Sequence, residues 1–177
     1  LLAIALILYL YKRLIYNRLA ESAINDSLTG TFNRGYFTEY LAYEFERSKR
    51  KKTTFSLMML DIDHFKKVND TYGHRRGDYA LKTLVQIVKK STRKIDVLAR
   101  VGGEEFMLLL PDTSLKDAAI LASRVRRNCE SFLFEEIGTM TISLGITELT
   151  DGDNIDSILK RVDSALFKAK ENGRNRC

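Results

Sequence analysis

The fold is decided by the stretch VLARVGGEEFMLLL, which spans residues 97–110. Two apolar runs flank the pair Gly102 and Gly103, and apolar runs on both sides of two glycines are typical of a β-hairpin. This pattern predicts a type I′ turn, in which both central residues have positive φ. Because Glu104 and Glu105 follow the glycines directly, the predicted hairpin carries two carboxylates at its tip.

The sequence on either side of this hairpin alternates between helical and extended patterns. Apolar residues recur every three or four positions in the predicted helices and form short continuous runs in the predicted strands. The predicted order is an N-terminal helix, a helix at 34–50, a strand at 53–60, a short helix at 65–68, a helix around 80–88, hairpin strands at 97–101 and 106–110, a helix around 115–129, a strand at 140–146 and a last helix around 155–169, which Gly173 would end. This order indicates an α/β (α+β) sandwich with a ferredoxin-like or palm-like central sheet, largely antiparallel and covered by helices.

Composition limits the classes of partner. At 177 residues with 45% apolar residues, the chain is long enough for one domain with a hydrophobic core. A net charge of +6 suits a polyanionic partner such as a nucleotide or an anionic membrane. No zinc-finger spacing or basic recognition helix accompanies this charge, so we do not expect nucleic-acid binding. Cys129 and Cys177 lie far apart, which fits a reducing cytoplasm better than a disulfide framework.

The N-terminus has the pattern of a membrane span that ends on the cytoplasmic side. Its first eleven residues are almost purely apolar, and three cationic residues follow within a few positions. Since a bilayer crossing needs roughly 20 residues, we predict that residues 1–25 are the end of a transmembrane or signalling helix and that residues 26–177 form the second domain. The alternative is an amphipathic helix that packs on a partner, because its apolar residues also lie near heptad spacing.

Carboxylates occur at two places in the predicted sheet. Asp61 and Asp63 come at the end of a buried strand, and Glu104 and Glu105 come at the hairpin tip. Together they can form one acidic pocket, and Mg²⁺ usually binds through one or two carboxylates plus substrate phosphates. An ordinary hairpin would also explain the two glycines and two glutamates. Asp63 taken alone is better interpreted as a helix N-cap.

Four motifs, in order along the chain, resemble those of the GGDEF family of diguanylate cyclases. RVGGEEF at residues 100–106 resembles the defining motif in its GGEEF form, and DSLTGTFNR at residues 26–34 resembles the opening motif. Residues 61–78 resemble the nucleotide-binding segment, and residues 165–175 resemble the C-terminal helix. The chain departs from the family's frequent residues at Ser27, Thr31, Phe32 and Val101, and none of these departures removes a catalytic atom.

The resemblance implies an enzyme that condenses two GTP molecules into cyclic di-GMP and two pyrophosphates. Each domain of a homodimer would hold one GTP. The implied cofactor is Mg²⁺, with Mn²⁺ as a substitute, bound by Asp61, the Ile62 carbonyl, Glu104 and Glu105. Glu104, together with Glu105, would serve as the catalytic group that assists deprotonation of the attacking 3′-hydroxyl.

The resemblance also implies a set of substrate-binding residues. Amides that open the short helix would hold phosphates, and Lys170 and Arg174 could reach one phosphate together, although cations are favoured at any helix C-terminus. Asn69 and Asp78 resemble the guanine contacts, and a carboxylate can accept from guanine N1–H and its amine, which adenine cannot offer. The full set is His64, Phe65, Lys66, Asn69, His74, Asp78, Gly102, Gly103, Lys170 and Arg174.

Arg93 and Asp96 resemble the family's Arg-x-x-Asp inhibitory product site, to which Arg124 could contribute. A salt bridge within a loop is the alternative for this pair.

The predicted location is the bacterial inner membrane, with the catalytic domain in the cytoplasm. Two other functions remain open: a non-catalytic receptor for GTP or cyclic di-GMP, and another palm-type nucleotidyl cyclase or polymerase.

Overall fold

The computed structural model describes Leu6, residues 9–13 and residues 23–177. Residues 9–13 and 23–24 are helical. Most of the predicted N-terminal helix lies outside the described residues, so the assignment of residues 1–25 stays a prediction. Among the residues that the structure does describe, no helix is long and apolar enough to cross a membrane.

Within residues 23–177, five strands and five helices form the domain. The strands are β1 (Phe32–Asn33), β2 (Phe55–Ile62), β3 (Val97–Arg100), β4 (Glu105–Pro111) and β5 (Ile142–Glu148), and the helices are α1 (Arg34–Lys51), α2 (Phe65–Tyr72), α3 (His74–Ser91), α4 (Leu115–Ser131) and α5 (Ile155–Glu171). The sheet order is β1-β3-β4-β2-β5, in which β1 pairs parallel with β3 and the other pairs are antiparallel. The predicted helix-covered and largely antiparallel sheet is confirmed.

The central strand β2 explains why helices cover both faces of the sheet. Seven of its eight residues are buried, which is expected of a strand with helices on both faces. Met58, Leu60 and Ile62 pack in a core with α3 and α4, whereas Phe55 and Leu57 pack in a second core with α1 and α5. Successive side chains point to opposite faces, so one apolar run supplies both cores.

The hairpin is confirmed, but the predicted type I′ turn is wrong. β3 ends at Arg100 and β4 begins at Glu105, so four residues connect the strands rather than two. Neither Gly102 nor Gly103 has positive φ. The N–H groups of Val101 and Gly102 both donate to the carbonyl of Glu105, at 3.0 and 3.3 Å. A wider turn of this kind makes room for Glu104 at the tip.

The short strand β1 was not predicted. It has only two residues, Phe32 and Asn33, which pair with Ala99 and Arg100 of β3. Asn33 also caps α1, because its side chain accepts from the N–H of Tyr36 at 2.9 Å. The opening motif is therefore joined to the edge of the sheet beside the acidic turn.

Candidate active site

Strand pairing brings the predicted carboxylates to one end of the sheet. Asp61 lies opposite Glu105 of β4 and opposite Ser143 of β5. Like charges directly opposite each other in a sheet are destabilising. Asp61 is nonetheless 4% exposed, so the fold buries one carboxylate beside another at this position.

The acidic turn is held by an arginine that the sequence analysis did not single out. Arg100 donates from Nε and Nη2 to the carbonyl of Gly103, at 3.1 and 2.7 Å. Its Nη1 also lies 3.3 Å from both carboxylate oxygens of Asp26 in the opening motif. Burial raises the pKa of Asp26, but hydrogen bonds from Thr29 and the charge of Arg100 outweigh it and hold that pKa below its ordinary value. The position of Arg100 inside the RVGGEEF motif was the signal that could have indicated this role.

Gly102 and Gly103 of the turn differ in how much space surrounds them. A Cβ on Gly102 would lie 2.4 Å from Oε2 of Glu105, so the Glu105 side chain occupies the space beside Gly102. No heavy atom lies within 4 Å of the Cβ position of Gly103. Gly103 is exposed, and the backbone there is open to a ligand.

The pKa values of Glu104 and Asp61 both lie above the ordinary values for their residue types. Burial raises the pKa of Glu104, and the charge of Asp61 raises it further. Burial also raises the pKa of Asp61, and the charge of Glu105 adds to this shift. Perturbed carboxylates grouped in this way are a recognised signal of a functional site.

Lys170 supplies a positive charge to this group. Its Nζ lies 2.7 Å from Oδ2 of Asp61. Lys170 lies in the last turn of α5, and its charge lowers the pKa of Asp61 and Glu104 without cancelling the effect of burial. The predicted phosphate-binding lysine therefore contacts the predicted metal-binding aspartate.

The donor set fits a magnesium ion in its chemistry. Asp61 already holds a cation, the Lys170 ammonium, at one oxygen, and the charge of Asp61 acts on Glu104 strongly enough to raise its pKa. A cation between these carboxylates would relieve that repulsion. Ile62, whose carbonyl was the third predicted ligand, is the last residue of β2. Within residues 23–177 and the other described positions, no group of three or more His, Cys, Asp or Glu side chains is arranged to hold a metal.

Asp63 is not the N-cap of α2, which corrects the interpretation from sequence. The N-cap is His64, which has φ of 58° and makes no side-chain capping bond. Asp63 instead accepts hydrogen bonds from the hydroxyls of Thr141 and Ser143, each at 2.7 Å. Its carboxylate points toward β5, which the local sequence pattern could not indicate.

The predicted phosphate-binding segment opens helix α2 next to the acidic end of the sheet. The side chains of His64 and Lys66 are exposed, whereas the ring of Phe65 is buried. The leading N–H groups of a helix have no carbonyl partner within the helix. In α2 the N–H of Lys67 already donates to the carbonyl of His64 at 2.9 Å, so the N–H groups of Phe65 and Lys66 are the ones that could meet an anion. Arg174 is exposed just beyond the end of α5.

The two predicted guanine contacts lie on neighbouring helices. Asn69 is in α2 and Asp78 is in the first turns of α3. A Cβ on Gly77 would lie 1.9 Å from Oδ1 of Asn69, so the absence of a side chain at Gly77 lets Asn69 pack against α3 directly before Asp78. His74 begins α3 and is exposed.

The predicted inhibitory pair lies in the loop between α3 and β3. The N–H of Arg93 donates to Oδ2 of Asp96 at 2.7 Å, and the guanidinium lies 3.2 Å from Oδ1. Arg93 also donates to Oγ1 of Thr113 at 2.6 Å. Arg124 donates to the carbonyl of Ser91, at the end of α3, so it lies close to this loop. A cavity of about 330 Å³ beside the loop is lined by Asn25, Gly30, Thr31, Phe32, Lys89, Thr92, Arg93, Lys94, Asp96 and Leu98.

A mixed five-stranded sheet with helices on both faces and carboxylates at one end defines a palm-like α/β domain. Residues 23–176 match the family described as "Diguanylate cyclase, GGDEF domain", and the chain belongs to this family. It is 44% identical over 160 residues to "Probable diguanylate cyclase DgcT" of Escherichia coli K12. That alignment covers 87% of this chain and 35% of the relative, so the chain spans about a third of the relative's length.

Two solved structures show the same architecture. One is the coiled coil and GGDEF domain of DgcB from Caulobacter crescentus in complex with c-di-GMP, with a TM-score of 0.91, 29% identity, and coverage of 99% of this chain and 95% of that chain. The other is the active GGEEF domain of a diguanylate cyclase from Vibrio cholerae, with a TM-score of 0.74, 38% identity, and coverage of 76% of this chain and 88% of that chain. The predicted family and fold are confirmed.

Proposed function

We propose that this domain condenses two GTP molecules into cyclic di-GMP with release of two pyrophosphates. The observation that carries the proposal is the group formed by Asp61, Glu104 and Lys170 at one end of the sheet, in which two carboxylates have raised pKa values and one is paired with a lysine. Membership in the GGDEF family supports the same reaction.

Asp61, Glu104 and the Ile62 carbonyl would hold Mg²⁺, with Glu105 beside them. When bound, Mg²⁺ supplies charge stabilisation for the phosphates and lowers the pKa of the attacking hydroxyl. Glu104 is the group that would accept the 3′-hydroxyl proton. Its raised pKa brings it nearer to the working pH than an ordinary carboxylate, which suits a general base.

Lys170 has a second role in this proposal. A flexible ammonium on the last turn of α5 can leave Asp61 when a metal ion takes its place and then bind a phosphate of GTP. The amides at the start of α2, with Lys66 and Arg174, would hold the remaining phosphate oxygens. The chain would thus bind the triphosphate from two directions.

Guanine recognition would come from Asn69 and Asp78. The proposal is supported by the close packing of Asn69 against Gly77, the residue directly before Asp78 on α3. An aspartate there accepts from guanine N1–H and its amine. We expect Asp78→Ala to lower the preference for GTP over ATP, measured as the ratio of the two kcat/KM values.

Product inhibition would act through Arg93 and Asp96, with Arg124 nearby. Arg93 is exposed, and a guanidinium can stack on guanine and donate to it. Arg93→Ala should raise the concentration of cyclic di-GMP that halves the rate, with little change in the rate without product. An unchanged inhibition constant would remove this part of the proposal.

Dimerisation and membrane attachment are further parts of the proposal. Because one domain would hold one GTP, the rate per domain should rise with protein concentration until the homodimer is formed. The N-terminal helix would anchor the domain at the inner membrane and change how often two domains meet.

The test is incubation of the domain at high concentration with GTP and Mg²⁺, beside a Glu104→Gln control and an ATP control, with products separated by chromatography. Cyclic di-GMP that forms only from GTP and only with Glu104 supports the proposal. Tight binding of GTP or cyclic di-GMP without any product would favour the non-catalytic receptor instead.

A further inference from the structure

A buried carboxylate holds the segment after helix α5 against the end of β2. Asp63 is 6% exposed and accepts hydrogen bonds from the hydroxyls of Thr141 and Ser143, each at 2.7 Å. It also accepts from the backbone N–H of Asn175 at 3.0 Å. These donors use both carboxylate oxygens, so Asp63 joins β2, β5 and the C-terminal segment at one point.

The C-terminal segment is fixed by further contacts on either side. The N–H of Leu144 in β5 donates to the carbonyl of Arg176 at 2.9 Å. The Asn175 side chain accepts from Arg126 and donates to Glu130 on α4, each at 2.8 Å. Residues 173–176 together with Asp63 are called the C-terminal latch below.

The backbone of the latch adopts a conformation that needs such support. Arg174 and Asn175 have φ of 61° and 49°, a left-handed region that residues with a Cβ seldom adopt. Backbone of this kind persists only when the surrounding contacts determine it. The hydrogen bonds of Asp63 and Asn175 are the contacts that hold this backbone in place.

The latch lies next to the charged group of the candidate active site. Asp61 lies opposite Ser143 in the sheet, and Asp63 accepts from the hydroxyl of the same Ser143, so the two carboxylates lie close to each other. Asp61 contacts Lys170 and Asp63 contacts Asn175. The end of β2 therefore contacts the end of α5 and the segment after it at two points, Lys170 and Asn175. Because these two residues are close in sequence, holding Asn175 in place limits how far Lys170 can move away from Asp61.

We propose that Asp63 is a positioning residue that sets Lys170, through the C-terminal latch, at the place where it contacts Asp61 and would meet a GTP phosphate. This inference rests on the proposed function. Asp63 does not touch substrate in this role, because both of its oxygens are occupied by donors of the chain.

The first measurement follows the latch without using the reaction. Trypsin cleavage after Arg174, detected by mass spectrometry, should be about tenfold faster in Asp63→Ala, because local opening exposes the bond. Cleavage after Lys51, at the end of α1, is the internal control and should not change. Asp63→Asn is the matched variant and should stay within about twofold of the wild type, since its amide oxygen can still accept from Asn175 while Ser143 accepts from the amide nitrogen.

The second measurement asks whether Asp63 acts through Lys170. Asp63→Ala should lower the rate of cyclic di-GMP formation by about tenfold in the parent chain, because a small displacement of a positioning group is costly. In a Lys170→Met background the same change should lower the rate by less than about twofold. Loss through general destabilisation would be equally large in both backgrounds.

Three outcomes would overturn the inference, and a substitute variant covers the case in which Asp63→Ala does not fold. Unchanged cleavage after Arg174 would show that Asp63 does not hold the latch, and equal rate losses in both backgrounds would show that it does not act through Lys170. If the parent neither forms product nor binds GTP, the proposed function fails and the positioning role fails with it. If Asp63→Ala does not fold, Asn175→Pro replaces it in the rate comparison, because proline lacks the latch N–H and cannot adopt the φ of 49°. Asn175→Gly is its control, since glycine retains the N–H and adopts positive φ readily.

Discussion

Asp153 and the pair of Asp61 and Glu104 lie at opposite ends of the central sheet and have opposite pKa shifts. At the end away from the acidic turn, Asp153 accepts from Arg161 at 2.7 and 2.8 Å, from Ser157 at 2.7 Å and twice from Thr150 at 2.8 Å. These hydrogen bonds hold the pKa of Asp153 far below its ordinary value, and the largest contribution comes from Arg161. At the acidic turn, burial raises the pKa of Asp61 and Glu104.

This difference separates charges that stabilise the fold from charges that serve a ligand. A carboxylate whose oxygens are filled by the chain's own donors favours the folded state. Carboxylates that are buried together with too few donors oppose folding, and an arrangement of this kind is expected at a functional site. We therefore expect substitutions at the two ends to separate activity from stability.

Glu104→Gln should give the largest effect on the reaction. The rate of cyclic di-GMP formation should fall by about 100-fold or more, the loss expected for a general base. The melting temperature should stay equal or rise, because a neutral amide no longer repels Asp61. Chromatography of the products and a thermal melt measure the two effects. A retained rate, or a melting temperature lowered by several degrees, would contradict the comparison.

Asp153→Asn should show the reverse pattern. The free energy of unfolding, measured with urea, should fall by about 1 to 3 kcal/mol, because Arg161 and Thr150 lose a charged acceptor. The rate per folded molecule should not change. Asp156→Asn is the matched control, since Asp156 is exposed in the first turn of α5, the helix that begins just after Asp153. If Asp156→Asn lowered the free energy of unfolding as much as Asp153→Asn does, the hydrogen bonds of Asp153 would not be the cause of its effect.

The pH dependence should also differ in sign between the two ends. The pKa of Asp153 is lowered by folding, so its contribution to stability is present above the ordinary aspartate pKa and is lost as pH falls through the lower folded value. The pKa of Glu104 is raised, so its charge reduces stability as pH rises from its ordinary value through the raised one. The destabilisation in Asp153→Asn should shrink in acid, whereas the gain in Glu104→Gln should grow as pH rises from the ordinary to the raised pKa of Glu104 and be complete above it. Urea unfolding at acidic and neutral pH measures both.

Magnesium should give the smallest effect. Without nucleotide, Mg²⁺ should stabilise the parent by about 1 kcal/mol when its free concentration is about five times the dissociation constant. The shift should vanish in Glu104→Gln and persist in Asp153→Asn, as read from thermal melts with and without Mg²⁺. In Lys170→Met the shift should grow, because the ammonium no longer competes for Asp61. Equal shifts in all four proteins would indicate binding away from the acidic turn.

Local sequence patterns predicted much of the molecule. The hairpin and the apolar strand before Asp61 were predicted because the apolar residues that form a strand or helix are neighbours in the chain. Glu104 and Glu105 could be placed near Asp61 because strand ends and hairpin tips meet at the ends of a sheet. The motif resemblance identified the family for the same reason, since its residues lie in short contiguous segments.

The roles of Asp63, Arg100 and Gly102 depended on distant partners. Asp63 meets Asn175 across 112 residues of sequence, and Arg100 meets Asp26 across 74. The turn at Gly102 is wider than two glycines predict, because Arg100 and Glu105 shape it.

The sequence by itself therefore determined which residues form the strands, helices and charged positions, because that information lies in the spacing of near neighbours. Only the tertiary structure decided which carboxylates accept hydrogen bonds from the chain's own donors and which are left for a ligand. That distinction depends on donors brought together from separate elements, and on burial, which belongs to the packed chain as a whole.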